Sequence, residues 1–353
     1  MRRATETSRL SDVELRQAAL APTSRPARPR RFPGEAAARH FLSLLDFSPE
    51  ELEHNLALAA RLKLERALRQ DAPTAQALTG LHVALLFEKP SLRTRATFEV
   101  AIRELGGAVI DPPPDAALSA RESIADVARS LERWVEAAVI RTFAQTRLED
   151  FVAAAPRLSV INALTNEEHP CQALADCLTL CEHWGTVEGK TIAFVGDGNN
   201  VATSLCQAAL MLGINVRVAS PTGFELPAAE VTKAARVARH NVRLQLVRDP
   251  ATAVEGADAV YTDVWTSMGQ EAETARRRAA FARYRVDGRL MARARPGALF
   301  MHCLPAHRGE EVTDEVIDSP TSVVFDQAEN RLHTQKALLL MLLAPEQGIG
   351  VRR

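Results

Sequence analysis

The chain has 353 residues, a formal net charge of −1, 46% hydrophobic residues and 25% charged residues, which fits a soluble globular protein long enough for two domains. The balanced charge supplies no global field for nucleic acid or a membrane surface, and the longest apolar run, Ala337 to Ala344, is far below the roughly 18 residues of a membrane span. The five cysteines (Cys171, Cys177, Cys181, Cys206 and Cys303) are odd in number and contain no CxxC pair, which argues against a disulfide framework or structural zinc and for a reducing, cytoplasmic compartment.

Residues 1–35 hold eight Arg and four Pro with no clean hydrophobic period and read as a disordered extension. Glu6, Asp12 and Glu14 are wrong for a transit peptide, and no aromatic residues interleave the arginines as a nucleic-acid arm would require. Strand-like and helix-like segments then alternate. His82 to Phe87 is a short apolar run that predicts a buried strand. A helix follows from Thr94 to Leu105, stopped by Gly106-Gly107. Ala108 to Asp111 is a second strand and Glu122 to Val135 a second helix, with further strands at Ala137 to Arg141 and Leu158 to Ala163. Pro170 to Trp184 predicts a helix bridging to the second half, with Cys177 and Cys181 as small buried side chains. The second half repeats the pattern: strands at Lys190 to Val195, Asn215 to Ala219, Leu244 to Val247, Ala259 to Asp263 and Ala298 to Cys303, a helix from Val201 to Leu212, and a final helix from about Asn330 to Leu343. Such alternation predicts an α/β protein with parallel sheets covered by helices on both faces.

Chemistry-bearing residues cluster at the ends of these strands. Ser91-Leu92-Arg93-Thr94-Arg95 follows a strand and opens a helix. Unpaired first-turn N–H groups, hydroxyls and a guanidinium at such a place form an anion cage. Arg141 ends another strand, where ligands of open parallel sheets bind. His169 and Gln172, in His169-Pro170-Cys171-Gln172, are spaced to reach one small ligand. Gly196-Asp197-Gly198-Asn199-Asn200-Val201 has a dinucleotide-like position, but Val201 stands at the third glycine and Ala219-Ser220 ends the next strand with no acid for a ribose, so a nicotinamide cofactor is not expected. Its amides suit a carboxylate or an amine instead. Asp263, in Asp263-Val264-Trp265-Thr266-Ser267-Met268-Gly269, is placed to meet a cationic amine, and Gly269 frees the loop to fold over a ligand. His302-Cys303-Leu304-Pro305 caps the neighbouring strand end.

These motifs, S-x-R-T-R, H-P-x-Q, D-x-W-x-S-M-G and H-C-L-P, stand in the order and spacing of the aspartate/ornithine carbamoyltransferase superfamily. The chain resembles that superfamily over about residues 40 to 345, and the Ser-Met-Gly loop resembles its ornithine branch. The resemblance implies two doubly wound parallel-sheet domains joined by interdomain helices, with the active site in the cleft between them: residues 36–168 for carbamoyl phosphate, 169–328 for ornithine, and a C-terminal helix over 329–353 packing back on the first domain. It implies that Ser91, Leu92 (through its backbone, where the family carries Thr), Arg93, Thr94, Arg141, His169, Gln172, Cys303, Leu304 and Arg331 hold carbamoyl phosphate. Asn200, Asp263, Ser267 and Met268 would hold L-ornithine, and Arg141, His169, Asp263 and Cys303 would act in catalysis. No metal or other cofactor is expected. The implied assembly is a homotrimer or a multiple of trimers. In the family a loop glutamine reaches a neighbouring subunit; here Ala117 stands at that place, with Ser119 and Arg121 nearby as substitutes. The other functions in view are carbamoyl transfer to a different amine and non-catalytic binding of carbamoyl phosphate.

Overall fold

The computed structural model describes residues 38–113, 118, 122–267 and 269–348. The extension over residues 1–35, Met268, Ala117, Ser119 and Arg121 lie outside the described residues.

Two all-parallel sheets form the scaffold. In the first, β1 (His82–Phe87), β2 (Ala108–Ile110), β3 (Ala137–Arg141) and β4 (Ser159–Leu164) run in the order β2-β1-β3-β4. In the second, β5 (Thr191–Val195), β6 (Asn215–Ala219), β7 (Leu244–Val247), β8 (Ala259–Thr262) and β9 (Leu299–His302) run in the order β7-β6-β5-β8-β9. Both orders reverse direction beside the first strand, which opens a crevice at the carboxyl ends of the strands. The helices are α1 (Pro49–Glu65), α2 (Leu92–Glu104), α3 (Ile124–Leu131), α4 (Gln145–Ala154), α5 (Pro170–Trp184), α6 (Asn200–Met211), α7 (Ala228–Arg236), α8 (Pro250–Val254), α9 (Thr274–Phe281), α10 (Gly288–Met291), α11 (Asp314–Ile317) and α12 (Val324–Leu343). A last turn covers Pro345–Gly348. None of the described helices is long and apolar enough to cross a membrane.

Side-chain alternation explains why both faces of each sheet are covered. In β1, Val83, Leu85 and Phe87 join one core cluster while Ala84 and Leu86 join another. In β5, Ile192 and Phe194 enter the first cluster while Ala193 and Val195 face a third. The shared cluster also takes in Leu174 and Leu178 of α5, Leu205 of α6, and Leu338 and Leu340 of α12. One continuous apolar core therefore ties the inner faces of both sheets together. α12 packs on α5, α1 and α2, so its residues reach the first lobe although they follow the second in sequence.

The largest boundary differences from the sequence reading fall at two helices. The helix expected from Glu122 to Val135 is only Ile124–Leu131, because the Ser123 hydroxyl accepts from the Asp126 N–H and fixes the start. The final helix starts at Val324 rather than Asn330, since Gln327 and Asn330 are buried polar residues that break the apolar period without breaking the helix.

Candidate active site

The phosphate-type turn leaves β1 at Phe87 and enters α2 at Leu92. Ser91 holds the N-cap position with extended backbone, but its hydroxyl makes no capping bond, contrary to the capping role its position suggests. Leu92 is 79% exposed, so the position that departs from the family signature places no side-chain demand on its surroundings. A cavity of about 400 Å³ opens beside the turn, lined by Phe87, Glu88, Lys89, Pro90, Ser91 and Arg95. Lys89 Nζ lies 4.2 Å from the centre of the Phe143 ring and donates to Asn166 Oδ1 at 2.9 Å. Arg95 Nη1 lies 3.2 Å from Asp111 Oδ2.

Behind the turn, buried side chains are held in one orientation. Arg331 of α12 donates from Nη2 to Thr94 Oγ1 at 2.6 Å and from Nη1 to Gln172 Oε1 at 2.7 Å. The far side of the Gln172 amide donates to Asp176 Oδ1 at 2.8 Å. Arg141 ends β3, and its carbonyl accepts from the Glu88 N–H at 2.9 Å, locking the two strand ends together. His169 is the N-cap residue of α5, and its N–H donates to Ser204 Oγ at 2.9 Å.

Three guanidiniums, Arg93, Arg141 and Arg331, converge here. None of them ion-pairs with a carboxylate among the described residues, and Arg141 and Arg331 are nearly fully buried. Burial, then the charge of Arg331, hold Arg141 down to about 10. Burial lowers Arg93 and Arg331 as well. His169 is held well below its ordinary value by burial and then by Arg331 and Arg141, so it stays a neutral imidazole at neutral pH. Its Nδ1, like the Nε atoms of Arg141 and Arg331, is buried without a hydrogen-bond partner. Buried cations with no counter-charge cost several kcal/mol, and donors left unpaired add to that cost. The arrangement is built to receive an anion with a polar head.

The second lobe supplies the opposite polarity. β8 and β9 pair with Thr262 beside His302, so Asp263 and Cys303 emerge side by side. The Cys303 thiol donates to Asp263 Oδ1 at 2.9 Å, and the Asn199 amide donates to Asp263 Oδ2 at 2.7 Å. Burial and the adjacent Asp263 carboxylate push the thiol well above its usual range, which keeps Cys303 protonated. Leu304 has φ 56°, and its N–H donates to His302 Nδ1 at 2.8 Å. The other His302 ring nitrogen lies 3.3 Å from buried Glu311, so both nitrogens are engaged. Asp263, His302 and Cys303 offer ligand atoms within 4.8 Å of one another, as do His307, Glu310 and Glu311. In the first group the thiol proton and the imidazole are already committed; in the second, Glu310 is paired with Arg278.

The glycine-rich turn after β5 is shaped by contact. A Cβ at Gly198 would sit 2.2 Å from the Leu226 nitrogen, so only glycine lets this turn pass. Asn199 caps α6 by accepting from the Val201 and Ala202 N–H groups. Asn200 instead donates its amide to the Thr165 carbonyl of the first lobe. Ser267 is half-buried, and its N–H donates to Gln270 Oε1 at 3.1 Å.

The two half-sites face each other: Cys303 of the second lies within charge-interaction range of Arg93, Arg141 and Arg331 of the first. Every described residue expected at the site except Asn200 and Ser267 is thus linked to this constellation by position or by contact. Sequence reasoning missed three participants. Asn199, rather than Asn200, reaches Asp263. Asp176 lies one helical turn beyond Gln172 within the same motif, a spacing that could have flagged it. Arg277 donates to Asp197 Oδ2 at 2.6 Å and to the Trp265 carbonyl at 2.9 Å, tying the glycine turn to the loop after β8; an arginine 80 positions away in sequence carries no local signal for that.

Comparison with known proteins agrees with this geometry. Residues 39–182 match the family described as aspartate/ornithine carbamoyltransferase, carbamoyl-P binding domain, and residues 188–342 match its Asp/Orn binding domain. The chain is 51% identical over 316 residues to an ornithine carbamoyltransferase of Acidothermus cellulolyticus, covering 89% of this chain and 99% of the relative. It is 50% identical over 310 residues to that of Symbiobacterium thermophilum, covering 87% and 98%. Among solved structures, the ornithine carbamoyltransferase of Pyrococcus furiosus superposes with a TM-score of 0.82 at 46% identity, covering 87% of this chain and 97% of that one. The Thermus thermophilus enzyme gives 0.77 at 43%, covering 87% and 100%. With both halves matched in order and the charge-complementary cleft between them, the chain belongs to the aspartate/ornithine carbamoyltransferase family.

Proposed function

We infer that this protein transfers the carbamoyl group of carbamoyl phosphate to the δ-amine of L-ornithine, giving L-citrulline and phosphate, as part of arginine metabolism. The observation that carries the reading is the convergence of Arg93, Arg141 and Arg331, unpaired with carboxylates among the described residues, on the Cys303–Asp263 pair of the opposite lobe. Ser91, the Leu92 N–H, Arg93 and Thr94 bind the phosphate at the start of α2, with Arg331 holding Thr94 in place.

Arg141 and neutral His169 donate to the carbamoyl oxygen, where negative charge grows as the amine attacks. Gln172 Oε1 and the Leu304 carbonyl are the acceptors for the carbamoyl amide. Asp263 receives the δ-amine, and the Cys303 thiol holds Asp263 from the other side. Asn200, Ser267 and Met268 contribute to the amino-acid end. An alkylamine is mostly protonated at neutral pH, with a pKa of about 10, so a proton must leave before attack; the phosphate of the bound donor is a candidate base. Fixing two small polar ligands against each other supplies much of the rate. The chemistry needs only groups of the chain and its substrates.

The proposed division is residues 36–168 for carbamoyl phosphate and 169–328 for ornithine, with His169 and Gln172 reaching the donor from the start of α5 and the segment 329–353 bringing Arg331 to the first lobe. The protein acts in the cytoplasm, consistent with five free cysteines, as a homotrimer or a multiple of trimers. The test is a citrulline assay with ornithine, aspartate and putrescine offered separately: turnover with ornithine alone supports the reading, and preference for another amine, or no turnover, rejects it.

A further inference from the structure

The Gln172 carboxamide has two ends of nearly equal size, and only its partners decide which faces the cleft. Its Nε2 donates to Asp176 Oδ1 at 2.8 Å, and its Oε1 accepts from Arg331 Nη1 at 2.7 Å. A carboxylate only accepts and a guanidinium only donates, so a flipped amide would set donor against donor and oxygen against oxygen. Asp176 is itself fixed from the second lobe. Gln327 Nε2 donates to the same Oδ1 at 2.9 Å, and the Tyr261 hydroxyl donates to Oδ2 at 3.1 Å. Gln327 is oriented in turn, because its Oε1 accepts the His302 N–H at 3.0 Å. Asp176, Gln172, Gln327, Tyr261 and His302 are all at most 1% exposed, so no water competes for these bonds.

We propose that Asp176 is a positioning residue: it holds the Gln172 amide with Oε1 toward the cleft, presetting the acceptor for the carbamoyl NH₂ group. This rests on the function proposed above. Asp176 touches no reacting atom; it acts through Gln172. Because both amides donate to one oxygen, Oδ1, an asparagine keeps that acceptor and can turn its NH₂ toward Tyr261, whereas alanine removes it.

The experiment is titration calorimetry on the full chain with two probes, phosphonoacetamide, which carries the amide, and inorganic phosphate, which does not. Asp176→Ala is expected to weaken phosphonoacetamide about 10-fold or more while phosphate changes by less than about 3-fold; Asp176→Asn is expected to restore phosphonoacetamide to within about 3-fold of the parent. In a Gln172→Ala background the further change Asp176→Ala should cost less than about 3-fold, because the group it positions is gone. Equal weakening of both probes, an asparagine variant no better than alanine, or an undiminished effect without Gln172 would each overturn the proposal. If alanine leaves too large a hole for folding, Asp176→Leu takes its place in the same comparison. Calorimetry needs no ornithine turnover, so a failed citrulline assay and a failed positioning role are told apart.

Discussion

Replacing Arg141 by methionine should make the unliganded protein more stable while disabling it. The guanidinium at the end of β3 is 9% exposed and has no ion-pair partner among the described residues. Burial together with Arg331 lowers it from 12.5 to about 10, a difference worth about 3 kcal/mol against the charged form. Methionine keeps most of the side-chain length and leaves a smaller hole than alanine. The net gain should be about 1–3 kcal/mol after packing losses, or a few degrees in melting temperature. The charge that is costly in the empty site is the one that grips the anion, so inorganic phosphate should raise the melting temperature of the variant less than that of the parent. kcat/KM for carbamoyl phosphate should fall by about 10²–10³, the effect of losing one oxyanion donor. Thermal unfolding with and without phosphate, beside initial rates of citrulline formation, reads all three. A variant that melts lower than the parent in phosphate-free buffer, yet gains as much from phosphate, would refute the argument that uncompensated charge is stored here for a ligand.

Cys303→Ala should raise the KM for ornithine about 10-fold or more by freeing Asp263 Oδ1, with Cys303→Ser retaining more activity because it still donates; equal rates for alanine and parent would remove the thiol from the site. Gly198→Ala must displace the Leu226 backbone, since the new Cβ would lie 2.2 Å from its nitrogen; a loss of about 2–4 kcal/mol is expected in urea unfolding, and an unaffected midpoint would mean that the turn is looser than described. Burial raises Asp176 from 3.8 to about 6. Its folded value lies above its unfolded one, so its favourable contribution is complete below about 3.8 and is lost as pH rises through 6, by about 3 kcal/mol. Between pH 5 and pH 8 the parent should lose about 1–2 kcal/mol more unfolding free energy than Asp176→Asn; equal losses would contradict it. The ring of His169, kept neutral by burial and two arginines, should show no NMR titration between pH 6 and 8; a midpoint near 6.5 would contradict that placement.

Strand positions were legible because a buried parallel strand is a short apolar run bounded by turn residues, and Pro170–Trp184 begins at a proline and ends before a glycine. The sequence reading passed over α1 and α4. α1 carries buried Asn55 and Glu65 among its apolar residues, and α4 buries only Leu148 and Phe151, so their hydrophobic stripes are faint. At the site, residues within one motif at a strand end were readable because local geometry puts them there. Contacts made across the fold were not: Arg331 reaching Thr94 over 237 positions follows from how α12 packs on α2, and no local pattern encodes that. Arg331 entered the sequence reading through resemblance alone.

The account stands on one cleft serving two substrates at once. The most direct measurement is the affinity of a single molecule in which a phosphonoacetyl group is joined to the δ-nitrogen of ornithine, compared with phosphonoacetamide and ornithine alone. The account predicts binding at least about 10³-fold tighter than either fragment, lost on Arg93→Ala in the first lobe and equally on Asp263→Ala in the second. Fragment-like affinity, or a loss confined to one of the two substitutions, would contradict a shared site.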